Sequence, residues 1–118
     1  MTDTLMTSQL MTPLYASAAM RTIMSDSARL QRMLDFESAL ARAEGAVGII
    51  SGTGTAVIGA ACNAEHYDIA ALVDASAPSG NIAIAVVNAL TQAVAARDPK
   101  TASSCIGAPR ARMLSTPR

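Results

Sequence analysis

The stretch SDSARLQRMLDFESALARAEGAVG, residues Ser25 to Gly48, decides the fold, because it alone combines a helix start signal, a sustained period and a stop. Leu30, Met33, Phe36, Leu40, Ala43 and Val47 recur at spacings of three and four and are expected to form one apolar side. Gln31, Asp35, Ser38 and Arg42 fall on the other side, and Glu37 and Glu44 blur the margin. Ser25 or Asp26 can accept hydrogen bonds from the first free amides, and Gly45 and Gly48 weaken the helix where it stops. An amphipathic helix of this length needs another helix to cover it.

The remainder of the chain supports that expectation. Half of the 118 residues are hydrophobic, but much of that share is alanine, and the aromatic set is limited to Tyr15, Phe36 and Tyr67. Such a bias favours closely packed helices over a sheet built from aromatic and β-branched residues. The length suits one domain or a fragment of one.

Residues 1–12 are polar and dotted with methionine, and read as a flexible leader. Pro13 introduces a short helix near Ser17 to Met24. After the long helix, Ile49 to Thr55 reads as a connection, since Gly52 and Gly54 make regular structure costly there. Thr55 can then cap a helix through Cys62, and Asp68 another over Ile69 to Ala77 that ends before Pro78. Asn81 can cap a helix from Ile82 to about Ala96, closed by Asp98-Pro99. The fold class is therefore all-α, without βαβ alternation.

Charge and motif content exclude several functions. Nine basic residues balance nine acidic ones, but Arg110, Arg112 and Arg118 sit in the tail and leave the body mildly acidic, so no nucleic-acid surface is expected. Neither uncharged stretch, Gly45 to Ala64 or Ala75 to Ala96, offers the ~20 continuous apolar residues of a membrane helix. The N-terminus has an aspartate and no basic region, which makes a poor secretory signal and points to the cytoplasm. Cys62, Cys105 and the single His66 lie at no metal-ligand spacing, and are expected to be two reduced thiols and a solvent-facing imidazole. The glycines of GTGTAVIG match neither the dinucleotide nor the phosphate-loop pattern. Glu65, His66, Tyr67 and Asp68 resemble an acid-base cluster on paper, yet adjacent residues on a helix or turn do not face one another. Asp35, Glu37 and Glu44 are expected to be solvated helix charges. These residues alone assign no reaction.

A family resemblance supplies what the residues alone do not. Pro13-Leu14-Tyr15, the run from Leu30 to Glu44, Gly48-Ile49-Ile50, Ala61-Cys62, Asp68 to Leu72, Gly80-Asn81 and Val94 to Pro99 resemble the N-terminal domain of the bacterial 3-carboxy-cis,cis-muconate cycloisomerase family, part of the fumarase/aspartase superfamily. The likeness covers residues 13–102. Ser51, Ile82 and Ala85 depart from it where related sequences often carry proline, which leaves the fold expectation intact but loosens the choice of family member. Adenylosuccinate lyase, with a similar opening helix, is the nearest competitor.

The resemblance implies an isomerase of the β-ketoadipate pathway of aromatic compound degradation. It would convert 3-carboxy-cis,cis-muconate to 4-carboxymuconolactone without a cofactor, in a homotetramer whose sites draw on three subunits. It also implies that this chain lacks the central helix bundle and the catalytic segments, leaving no catalytic residue to name and only Asn81 as a substrate-binding candidate. Helix capping is the competing role for Asn81. A small helical self-association or interaction protein is the alternative of a different class.

From residue 103 the resemblance fails. The superfamily's first active-site segment has the form VHWGATSQD, where this chain reads SCIGAPRARMLSTPR from Ser104. Codons exist that encode Ser104 to Arg118 as written and, read from the last base of the Ser104 codon, spell VHWGATSQDVIDTA. The expectation is a reading frame that slipped at or just before Ser104, making 103–118 a disordered tail with accidental arginines.

Overall fold

A computed structural model of the chain describes residues 10–105. Among the described residues seven α-helices follow one another: α1 Thr12–Tyr15, α2 Ala18–Ile23, α3 Asp26–Ala46, α4 Gly52–Ala61, α5 Ile69–Ser76, α6 Ile82–Arg97 and α7 Pro99–Cys105. A single 3-10 turn, Ala64–His66, separates α4 from α5, and there is no strand among the described residues.

Short polar side chains set where these helices begin. Ser17, Ser25, Ser51, Asp68 and Asn81 each accept a hydrogen bond from a backbone amide in the first turn that follows, at 3.2, 3.3, 3.1, 3.0 and 3.0 Å respectively. Each satisfies a donor that has no carbonyl partner within its helix. At the far end of α3, Gly48 adopts φ +81°. The Ile49 amide then reaches the Glu44 carbonyl at 2.9 Å and the Gly48 amide reaches Gly45 at 3.2 Å, the paired bonds of a Schellman stop. Glycine fits Gly48 because a side chain there would strain the left-handed backbone.

The core forms where α6 meets α3, α4, α5 and α7. Leu34, Ile58, Val86, Leu90 and Val94 are its largest fully enclosed side chains. Removing such a leucine typically costs about 2–5 kcal/mol, so these few residues account for much of the cohesion. The α1–α2 arm lies outside this core: neither helix buries a residue, and Leu14 and Tyr15 are about three-quarters exposed, at 76% and 73%. The Arg32 guanidinium tethers the arm by donating to the Ile23 carbonyl. The radius of gyration, 16.1 Å, exceeds the roughly 13 Å expected of a compact chain this size.

Three sequence expectations require correction. The long helix is present, but it turns Leu30, Leu34, Glu37 and Ala41 inward. Phe36 and Val47, placed on the apolar side by the sequence, are 66% and 72% exposed. The inward face is the one that meets α4, the 3-10 turn and α6, which hydrophobic spacing within α3 alone does not single out. A Cβ added to Gly45 would lie 2.5 Å from the Thr55 hydroxyl, and this contact favours small residues on the α4 side of α3. Glu37, expected in solvent, is buried at 8% exposure and lines the α3–α6 side with Val86 and Val87.

The second correction concerns Ile49 to Thr55. The cap of helix α4 is Ser51, four residues before Thr55, and the helix starts at Gly52 and passes through Gly54. Gly54 is buried so closely that a Cβ would stand 2.7 Å from Ile50 Cγ2 and 3.1 Å from Thr101 Oγ1. Packing thus outweighs the weak helix propensity of glycine. Third, Asp98-Pro99 ends α6 but also begins α7. The Asp98 carboxylate accepts from the Lys100 amide at 3.1 Å and from the Thr101 hydroxyl at 2.6 Å, with proline at the first helical position. These bonds hold the Asp98 carboxyl below its usual pKa.

Candidate functional site

Asn81 lies on the exposed turn between α5 and α6. Gly80, at φ +64°, reverses the chain, with its amide bonded to the Ser76 carbonyl at 2.9 Å. Asn81 Oδ1 then accepts from the Ala83 amide at 3.0 Å, while the Asn81 amide donates to Ser79 Oγ at 3.3 Å. Its side-chain oxygen is therefore engaged as the helix cap, and the carboxamide nitrogen has no hydrogen-bond partner among the described residues.

The sequence cluster at Glu65 to Asp68 disperses in space. His66 is exposed at the end of the 3-10 turn, and Asp68 caps α5. Tyr67 turns inward and donates its hydroxyl to the Ala61 carbonyl at 2.8 Å. Burial, reinforced by nearby Cys62 and opposed by Arg97, pushes the Tyr67 phenol up to about 12. Cys62 is also buried, and desolvation together with the Glu37 and Asp35 carboxylates raises its thiol to about 11. A thiol in that condition is protonated at neutral pH and a poor nucleophile.

One polar group joins these parts. Gln31 on α3 accepts from the Ala64 amide at 2.9 Å through Oε1, and through Nε2 donates to the Cys62 carbonyl at 3.0 Å and to Asp35 at 2.8 Å. The side chain expected on the solvent face thus locks the turn after α4 onto α3. The clamp has no local sequence signature, because its partners at Cys62 and Ala64 lie more than thirty residues away, at separations of 31 and 33.

An open groove of about 360 Å³ lies between α3 and α6. Met33, Phe36, Ala83, Val86 and Val87 form its walls, with Arg32 and Glu37 also in the lining. Such walls suit an apolar group. Among the described residues there is no group of three or more His, Cys, Asp or Glu able to hold a metal ion, and no helix long and apolar enough to cross a membrane.

Comparison with solved structures places this helical arrangement within the fumarase/aspartase superfamily. The crystal structure of the 3-carboxy-cis,cis-muconate lactonizing enzyme from Pseudomonas putida matches 81% of the chain, with 47% sequence identity and a TM-score of 0.77. The match occupies 22% of that structure's chain. A 3-carboxy-cis,cis-muconate cycloisomerase from Pseudomonas putida is 50% identical over 95 residues, which are 80% of this chain and 22% of the relative. Nitrosuccinate lyase from Streptomyces davaonensis is 37% identical over 95 residues, at 80% and 20% coverage respectively. No protein-family model matches. By sequence and by structure the chain is similar to the opening part of 3-carboxy-cis,cis-muconate cycloisomerases, and it spans about a fifth of the length of the curated relatives it matches.

Proposed function

We propose that this chain corresponds to the N-terminal helical part of a 3-carboxy-cis,cis-muconate cycloisomerase and does not turn over substrate by itself. The observation that carries this reading is the 50% identity to the Pseudomonas putida cycloisomerase over 95 residues. In the whole enzyme, a substrate carboxylate would add across a muconate double bond while the adjacent carbon gains a proton, giving 4-carboxymuconolactone. That chemistry needs a positioned acid-base pair and fixed hydrogen-bond donors for the enolate-like charge. Of the residues that look like an acid-base cluster in sequence, His66 is exposed, Asp68 caps a helix, and Tyr67 bonds to backbone.

Asn81 is the residue we assign to the substrate side, through its carboxamide nitrogen, with the side-chain oxygen kept as the α6 cap. We further propose a cytoplasmic homotetramer as the assembly of the full-length protein, acting on a small dicarboxylate or tricarboxylate without a cofactor. Residues 103–118 are read as the product of a shifted frame. Sequencing the coding DNA tests the shift: a base string from Ser104 onward unable to spell VHWGATSQD in another frame would exclude it.

The direct test of function adds 3-carboxy-cis,cis-muconate to the purified chain and follows loss of the diene absorbance. No loss above the uncatalysed rate is expected; enzymatic turnover would overturn the claim that the chain is inactive alone. A second reading, a helical self-association module, is favoured by the exposed Leu14, Tyr15, Ile23 and Phe36. Light scattering separates the two, since a discrete oligomer with a cooperative melt supports the second reading and aggregation or partial unfolding supports the first.

A further inference from the structure

We draw no further inference here: the strongest candidate, the open apolar groove between α3 and α6 walled by Met33, Phe36, Ala83, Val86 and Val87, is an unpartnered face, and nothing in the structure shows whether a second copy, another stretch of polypeptide or a small molecule covers it.

Discussion

Replacing Gln31 tests how the turn after α4 is held. Gln31→Ala removes the acceptor of the Ala64 amide and the donor to the Cys62 carbonyl, both partly buried bonds. Each is worth about 0.5–1.5 kcal/mol net, and a buried backbone group left unpaired costs more. Together they predict a loss of roughly 2–3 kcal/mol in urea unfolding, less to the extent that water reaches the vacated positions. Gln31→Glu is more discriminating. The new carboxylate still accepts from Ala64 but cannot donate to Cys62, and it sits where the amide nitrogen met Asp35 at 2.8 Å. Like-charge proximity raises the folded-state pKa of that carboxyl above its unfolded value of about 4.3. The protonated form is therefore the one that folding favours. Stability relative to the parent is best below the unfolded pKa and is lost as pH rises through the folded one. Unfolding midpoints measured between pH 3.5 and 8 should show the deficit of the variant growing with pH, and Asp35→Asn should shrink that growth. A Gln31→Ala variant within about 0.5 kcal/mol of the parent would contradict the proposed clamp.

The reoriented face of α3 predicts that Leu34→Ala costs about 2–5 kcal/mol while Phe36→Ser costs under about 1, because Leu34 is fully enclosed and Phe36 is 66% exposed; the reverse order in chemical denaturation would return the buried face to the one expected from spacing. Gly52→Ala meets open space, whereas Gly54→Ala places a methyl 2.7 Å from Ile50 Cγ2, so thermal melts should rank the former above the latter by about 1–3 kcal/mol, and equal stabilities would disprove the close approach. For Cys62, the rise from 9.0 to about 11 implies a thiolate fraction at pH 8 lowered about a hundredfold. In a Cys105→Ser background, a disulfide reagent should modify the native protein far more slowly than the urea-unfolded protein, and comparable rates would show that the thiol is accessible.

Much of the fold was legible because its punctuation is local. Ser25, Asp68 and Asn81 bond within three residues of themselves, so their capping roles follow from sequence order, and α5 and α6 begin where those residues place them. The inward face of α3 was not legible: it depends on where α4, the 3-10 turn and α6 pack against it, contacts between elements that spacing within one helix does not encode. The same cause hid the start of α4, where Gly54 packs against Ile50 and Thr101. Helix α7 was missed because Asp98-Pro99 carries a stop and a start in the same two residues. For the candidate site, Asn81 capping was readable from residue type and position. Gln31 was not, since a glutamine among solvent-side residues gives no hint of partners at Cys62 and Ala64. The family resemblance rested on short runs of sequence, a signal independent of both packing and chemistry.

The most direct measurement replaces the matching segment of the Pseudomonas putida cycloisomerase with the aligned segment of this chain and assays lactonisation of 3-carboxy-cis,cis-muconate. If this chain carries a competent opening part of such an enzyme, the chimera should assemble and consume the diene. A chimera that folds and assembles as the parent enzyme does, yet leaves the substrate unchanged, would contradict the functional assignment.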